Sequence, residues 1–196
     1  MNIEYLIKIS DVLRHGASNG LNVFDFANSF SQTQYESKLW LIHCLNKHDY
    51  TKNPTILILG GWYGSYLVPL LNQYVQPSHI YFNDLDKQCL NIAAQLHAQD
   101  NISFYHFDAT YPFVHFDADI VINTSCEHMM HYDEMLKEGK DTLFVLQSCD
   151  EANDPGHVNI SRTTQEFVDK LGLSRVFMRA RKDLGHKNRF LVVGKA

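Results

Sequence analysis

A run of apolar β-formers, Thr55-Ile-Leu-Ile-Leu59, ends abruptly in Gly60-Gly61-Trp62-Tyr63-Gly64, and a helix-like segment follows. An apolar run without alternation suits a strand covered on both faces, as in a parallel sheet flanked by helices. Glycine lets the chain turn tightly and approach a ligand with no Cβ in the way, while the next helix presents unpaired N–H groups at its start. The stretch has the form of a strand delivering its end to a nucleotide-like ligand. Gly60 and Gly61 would equally serve to terminate a core strand, so the segments that follow decide.

Two further strands end in ligand-type chemistry. His79-Ile-Tyr-Phe-Asn83 runs into Asp84-Leu85-Asp86, about 20 residues past the glycines, where dinucleotide folds place an acid on the ribose hydroxyls. Ile102-Ser-Phe-Tyr-His-Phe107 runs into Asp108-Ala109, a carboxylate and a backbone N–H suited to an adenine edge. Asp86 also stands where the N-cap of the next helix belongs. A structural accident need not put acids at two successive strand ends after a glycine turn.

The pattern continues with strands at Ala118 to Ile122 and Thr142 to Gln147, a helix near Glu127 to Glu138, and a helix at Thr163 to Leu171 stopped by Gly172. Arg175 to Arg181 and Asn188 to Val193 form a final antiparallel pair joined around Gly185. This alternation predicts an α/β fold: a doubly wound, mostly parallel seven-stranded sheet with an antiparallel last strand. Residues 1–51 read as an N-terminal helical appendage packed on a core domain of residues 52–196. The appendage is a helix, a loop around Gly16 to Asn28, and a second helix opened by Thr33-Gln-Tyr-Glu36, which has capping-box spacing. Leu39, Ile42, Cys44 and Leu45 give that helix an apolar face to lay on the domain.

From residue 52 to 195 this ordered set resembles the class I, Rossmann-like S-adenosylmethionine-dependent methyltransferases. The resemblance implies a glycine turn beside the methionine part of the cofactor, an acid after the second strand on the ribose, and an acid after the third at the adenine. Gly60 and Gly64 match the outer glycines, Asp84 the ribose acid and Asp108 the adenine-side acid. Together with Gly61, Trp62, Leu85, Ala109 and Asn123 they are the implied contacts to S-adenosyl-L-methionine. Trp62 replaces the family's middle glycine, and Ile58 stands where an acid often precedes the first. N-terminal helices in this family commonly cover the cofactor or shape the entrance, so Gln34, Tyr35 and Lys38 are candidates to reach the site. Each also fits ordinary helix surface or packing.

Ligands bind such sheets beyond the carboxyl ends of the strands. The segments after the fourth and fifth strands, Asn123 to His128 and Gln147 to Asn159, are dense in acid, amide, thiol and imidazole groups. Amino-group methyltransferases of nucleic acids often carry Asn or Asp, Pro, Pro and an aromatic at the first place; here Thr124-Ser125-Cys126 follow Asn123. Asn123 is placed to orient an acceptor, Glu127 or His128 to take its proton, and Gln147, His157 or Asn159 to bind it. Thr124 and Glu127 also have capping-box spacing, which makes Glu127 equally a helix cap. Cys126, His128, His131, Cys149 and His157 match no standard ligand spacing, and no metal is expected.

At 196 residues and 45% hydrophobic the chain can bury a full core, and no apolar run approaches the roughly 20 residues that span a bilayer. The N-terminal stretch lacks the form of a signal peptide, so a cytoplasmic location and no membrane partner are expected. Four scattered cysteines, Cys44, Cys89, Cys126 and Cys149, suit reduced thiols. Between Asp117 and Asp154 ten acidic residues face two lysines, a field that repels phosphate backbones. Six basic residues in the final hairpin, Arg175, Arg179, Arg181, Lys182, Lys187 and Arg189, read mainly as solvent-facing guards of an edge strand. The expected function is methyl transfer to a small-molecule acceptor, with nucleic acid disfavoured. The alternatives are aminopropyl-type, cyclising or lyase use of the cofactor, a nucleic-acid or protein methyltransferase, or an inactive binding module.

Overall fold

The computed structural model of the chain describes residues 3–16, 20–110, 116–131, 136 and 141–196. Three N-terminal helices, α1 (Ile3–Gly16), α2 (Val23–Asn28) and α3 (Gln32–Leu45), precede an alternating core. The core runs β1 (Thr55–Leu59), α4 (Leu67–Tyr74), β2 (His79–Asp84), α5 (Lys87–His97), β3 (Ile102–His106), β4 (Ile120–Asn123), a 3-10 turn at Cys126–His128, β5 (Leu143–Cys149), α6 (Thr164–Leu171), β6 (Arg175–Asp183) and β7 (Asn188–Lys195). The strands form one seven-stranded sheet in the order β3-β2-β1-β4-β5-β7-β6. β1 to β5 are parallel, and β7 lies antiparallel between β5 and β6. Winding reverses direction at β1, which opens a crevice between the carboxyl ends of β1 and β4.

Strand alternation divides the core between two faces. Ile56, Ile58, Phe82, Ile122, Val145, Leu191 and Val193 point to one side and bury Leu41, Ile42 and Leu45 of α3 together with α4. Leu57, Leu59, Val121, Phe144, Phe190 and Val192 point to the other and bury Phe167 and Leu171 of α6. A third cluster joins Val12 of α1 and Phe26 of α2 to Tyr63 and to Cys89, Ile92 and Leu96 of α5. α3 is thus embedded in the core, whereas α1 and α2 each bury one residue, Val12 and Phe26, in the third cluster.

Local signals explain the helix ends. Asp86 caps α5 by accepting from the N–H groups of Gln88 and Cys89, and Gly172 ends α6 in the left-handed conformation at φ 63°. Some expectations are corrected. Ser31, not the Thr33–Glu36 pair, caps α3, because the helix begins at Gln32. The loop expected over Gly16 to Asn28 contains α2, whose cap is Asn22. The helix expected near Glu127 to Glu138 opens as a 3-10 turn without a side-chain cap, and most of its remainder lies outside the described residues. Among the described residues, no helix is long and apolar enough to cross a membrane.

Candidate active site

The glycine turn lies at the β1 end of the crevice. Gly60, Trp62 and Gly64 all have left-handed backbone, with φ of 59°, 54° and 64°. Gly61 is glycine for a different reason, since a Cβ there would lie 2.3 Å from the Phe82 ring. For Trp62 the left-handed conformation costs on the order of 1–2 kcal/mol. What holds it is its indole, whose Nε1–H donates to Asp25 Oδ2 at 3.1 Å. The Tyr63 hydroxyl donates to the same oxygen at 3.2 Å, and the Trp62 indole packs with the cluster formed by α1, α2 and α5. Further clasps join the same elements: Tyr5 donates to Ser65 O at 2.7 Å, and Tyr66 donates to Phe30 O at 2.9 Å.

Asp84, at the end of β2, binds this turn from the other side. Its Oδ2 accepts from Trp62 N–H at 2.6 Å and its Oδ1 from Asp86 N–H at 2.8 Å. Burial pushes the Asp84 carboxyl above its usual range, although the N–H groups of Asp86 and Trp62 oppose this. Each oxygen keeps a further lone pair for a hydroxyl donor. Leu85 is exposed beside it, its carbonyl bonded to His106 Nε2–H at 2.9 Å. Asp108 is half-buried and turned on itself, Oδ1 accepting from Thr110 N–H at 2.9 Å and from its hydroxyl at 2.7 Å. Ala109 is buried.

Across the crevice, Asn123 is fully buried at the end of β4. Its Oδ1 accepts from Ser125 N–H at 2.8 Å, its Nδ2 donates to the Met129 sulfur at 3.0 Å, and the Ser125 hydroxyl donates to Gly60 O at 3.2 Å. The β4 turn is therefore fastened to the glycine turn. Met129 Cε lies 3.1 Å from where a Gly60 Cβ would stand, so the missing side chain at Gly60 admits a neighbour at close range.

Beyond β4 and β5 lies a second, more polar group. Strand alternation puts Gln147, Cys149 and, through its register with Cys149, Arg189 on the α3 side of the sheet. Arg189 Nη1 pairs with Glu127 Oε1, and its Nη2 donates to Thr124 O. Burial opposes ionisation of Glu127, but the Arg189 charge and hydrogen bonds prevail and hold its carboxyl below the usual range. Glu127 is thus the partner of Arg189 and not a helix cap. Its carbonyl accepts from the N–H groups of Val158 and Asn159 at 3.0 and 2.9 Å, which folds the loop after β5 over the 3-10 turn. Exposed His128 bonds Gly156 O through Nδ1–H at 2.9 Å and meets His157 edge-on at 4.6 Å between ring centres. Asn159 Nδ2–H donates to Met129 O at 3.0 Å.

From α3, the Ser37 hydroxyl donates to Gln147 Oε1 at 3.2 Å, and Gln147 Nε2–H donates back to Ser37 O at 3.3 Å. Lys38 follows at the edge of this contact, within the fields of Arg189, Glu127 and Lys187. Burial and then Arg189 push its ammonium well below the usual lysine value, Lys187 adding to this and Glu127 opposing. Of the three helix residues expected to reach the site, Lys38 is the one within the fields of Arg189 and Glu127. Tyr35 is exposed and stacks edge-on with Tyr66 at 5.3 Å.

Glu127, Cys149 and His157 offer ligand atoms within 4.8 Å of one another. Their chemistry does not suit a cation. Arg189 already neutralises Glu127, His157 Nδ1–H is given to Glu151 O at 2.6 Å, and burial pushes the Cys149 thiol up to about 11. The site residues that sequence reasoning missed are Asp25 and Arg189. Asp25, on a six-residue helix, left no signal. Arg189 left one: expected as a solvent-facing guard, it instead leads into the apolar run Phe190-Leu-Val-Val193 on the inner strand β7 and is buried there, which demands a buried acid.

A scan against protein-family models finds no match, and no curated protein matches the sequence. Solved structures do match. A SAM-dependent methyltransferase from Aquifex aeolicus superposes with a TM-score of 0.59 at 16% identity, over 79% of this chain and 88% of that one. The fold is that of the class I methyltransferases. Magnesium protoporphyrin IX methyltransferase from Synechocystis, solved with bound SAH, gives a TM-score of 0.61 at 14% identity over 84% of each chain. A variant of MtNAS in complex with S-adenosylmethionine gives 0.62 at 10% identity, over 98% of this chain and 72% of that one. In the methyltransferase fold the crevice between β1 and β4 is the topological switch point.

Proposed function

We propose that the protein is an S-adenosyl-L-methionine-dependent methyltransferase acting on a small molecule. The observation that carries this reading is the joint between Asp84 and the left-handed glycine turn, Trp62 N–H to Asp84 Oδ2 at 2.6 Å, at the switch point of this sheet. The residues present fit the cofactor. Left-handed backbone at Gly60 and Gly64 gives the turn the course that brings it to Asp84, Asp84 keeps acceptor capacity for ribose hydroxyls, and Asp108 with Ala109, after β3, would face the adenine. Trp62 turns its indole to Asp25 and the N-terminal helices, so its presence at the middle-glycine position leaves the turn's left-handed course intact.

When bound, S-adenosyl-L-methionine supplies an activated methyl group on a sulfonium, which leaves alignment as the main task of the protein. Asn123 fixes the β4 turn through Ser125 and Met129 and so sets the wall against which an acceptor lies. Glu127, kept ionised by Arg189, has its second oxygen, Oε2, left to accept a hydrogen bond from a donor group of the acceptor. His128 is the exposed group suited to take a proton, its Nδ1–H committed to Gly156 O and its Nε2 left as a base. The loop from Asp150 to Ile160 is fastened to the Glu127 carbonyl through Val158 and Asn159, which sets its polar groups beside the β4 turn. The position of the basic side chains favours a small acceptor over a nucleic acid. The basic side chains Arg175, Arg179 and Arg181 alternate with half-buried neighbours along the edge strand β6, two strands from β5 and three from β4, on the far side of β7.

Calorimetric titration with S-adenosylmethionine and S-adenosylhomocysteine tests the reading. Micromolar binding that weakens at least tenfold in Asp84→Ala is the expected result. Absence of binding by either ligand would reject the cofactor. Binding without formation of S-adenosylhomocysteine on any acceptor would move the reaction to another use of the same cofactor.

A further inference from the structure

Trp62 joins two carboxylates that lie on different elements. Its N–H donates to Asp84 Oδ2 at 2.6 Å and its indole Nε1–H to Asp25 Oδ2 at 3.1 Å, so the end of β2 and the short helix α2 are linked through a single residue. Of the three left-handed positions in the turn, Gly60, Trp62 and Gly64, it alone has a side chain that resists that conformation. A glycine there would need no support. Trp62 is nevertheless held at φ 54°, and it is from this conformation that its N–H reaches Asp84.

An acid in a first helical turn complements the helix dipole, which would be reason enough for Asp25 on α2. The helix does not use that side chain for its cap, however. Asn22 is the cap, its Oδ1 accepting from Asp25 N–H at 3.1 Å. The Asp25 carboxylate turns instead to the glycine turn, where the Tyr63 hydroxyl donates to the same Oδ2 at 3.2 Å. Burial, then Cys89 and Asp25, push that hydroxyl above the ordinary tyrosine value, which keeps it a donor. Phe26, the next residue of α2, is 1% exposed and meets the Tyr63 ring edge-on at 5.3 Å, so the helix is anchored where its carboxylate acts. Two successive residues of the turn thus donate to one oxygen of a fixed carboxylate, the stronger class of hydrogen bond.

We propose that Asp25 is a positioning residue of the cofactor site: by holding the Trp62 indole it keeps the turn on the left-handed course that sets the Trp62 N–H against Asp84, so that docking of α2 and readiness of Asp84 for a ligand are coupled. What Asp84 binds is taken from the cofactor reading, on which this part rests, whereas the hold of Asp25 on the turn stands on the contacts above. Asp25 acts on the cofactor through Trp62 and not by contact. By linkage the coupling runs both ways, and a ligand on Asp84 firms the docking of α2.

Calorimetric titration with S-adenosylhomocysteine across a double-mutant cycle tests this role. Asp25→Ala is expected to weaken binding about tenfold or more, and Asp25→Asn, which keeps an oxygen for both donors, by less than about threefold. In a Trp62→Gly background, where glycine adopts the left-handed conformation unaided, adding Asp25→Ala should change affinity by less than about twofold. Unchanged affinity in Asp25→Ala, or a loss of the same size with and without the indole, would overturn the proposal. Should Asp25→Ala fail to fold, Trp62→Phe removes the donor and keeps a ring: a loss of about tenfold supports the role, and wild-type affinity rejects it. Hydrogen exchange at the Trp62 amide of the ligand-free protein gives a second readout, expected to be about tenfold faster in whichever of these two variants is used. Such acceleration in a protein that ignores S-adenosylhomocysteine would uphold the hold of Asp25 on the turn and reject the cofactor reading. Binding of S-adenosylhomocysteine that is indifferent to Asp25 would do the reverse.

Discussion

Arg189, near the start of the last strand, reaches Glu127 in the turn after β4, and the side chains of both are almost entirely shielded from solvent, at 8% and 4% exposure. A pair so placed is more informative when broken than when counted. Removing the cation leaves a carboxylate in a site that water does not reach, at a cost of about 3–5 kcal/mol. Arg189→Met is therefore expected to lower the free energy of urea unfolding by that amount. The double change Arg189→Met with Glu127→Gln should recover most of the loss, because the uncompensated charge is gone. If the double variant is as unstable as the single one, packing and not charge is what Arg189 supplies.

The pair also has a pH signature. The Glu127 carboxyl in the folded protein ionises below its ordinary 4.5, so its stabilisation is complete above that value and is lost as pH falls through the folded value. The stability gap between wild type and Arg189→Met should be largest at neutral pH and narrow as pH falls towards 4.5, because without the guanidinium burial raises the Glu127 carboxyl and the variant relieves its buried charge by taking up a proton. A gap that stays constant through that acid range would mean that the pair is not ionised as drawn.

His97 gives the opposite end of the molecule its own pH dependence. Its Nε2 bonds the Tyr63 carbonyl at 3.0 Å, and burial lowers its pKa from 6.5 to about 4. Between those values the unfolded chain binds a proton that the folded one refuses, so stability falls as pH drops from 6.5 towards 4 and levels off below. The slope approaches about 1.4 kcal/mol per pH unit for one proton. His97→Gln should remove this slope from urea titrations while leaving the acid limb due to Glu127. Because the folded protein keeps His97 neutral over that interval, its bond to the glycine turn persists and wild-type affinity for S-adenosylhomocysteine should hold constant until pH approaches 4.

At Trp62, opposing terms have to be weighed. Trp62→Gly relieves left-handed strain of about 1–2 kcal/mol but removes a half-buried indole and its bond to Asp25. Loss of a large aromatic costs about 3–5 kcal/mol when fully buried, so a net destabilisation of about 1–3 kcal/mol is expected by thermal or urea unfolding. A stabilised Trp62→Gly would show that the indole contributes little and that the strain is uncompensated.

Gly61 and Gly172 separate crowding from backbone preference. Gly172 has nothing within 4 Å of a built Cβ but φ of 63°, whereas Gly61 would drive a Cβ to 2.3 Å from Phe82. Gly172→Ala is expected to cost about 1 kcal/mol and leave ligand binding unchanged. Gly61→Ala should cost about 3 kcal/mol or more and abolish S-adenosylhomocysteine binding, because Phe82 lies beneath the turn. Equal costs for the two would remove the distinction.

What the sequence disclosed follows from the range of the interactions involved. β1, the glycine turn, the Asp86 cap and the Gly172 stop are written in neighbouring residues, so periodicity and turn chemistry suffice for them. The hairpin of β6 and β7 was legible for the same reason. Asp25 and Arg189 were not, because what makes them site residues is contact with Trp62 and Glu127, distant in the chain and brought near only by packing. Glu127 shows the failure most clearly. Its spacing from Thr124 satisfies a helix-cap pattern, yet the turn is too short to need that cap, and a residue 62 positions away takes the carboxylate instead.

The packing of α3 against β7 brings distant parts of the chain together, with Leu41 and Ile42 in one cluster with Leu191 and Val193. On a ribosome, the helix emerges long before the strand it needs. β1 to β4 lie in the earlier part of the sequence, whereas the partner of Glu127 comes from β7. During synthesis, then, β5 would wait with one edge open and Glu127 would stay without its cation until β7 had slotted between its two neighbours.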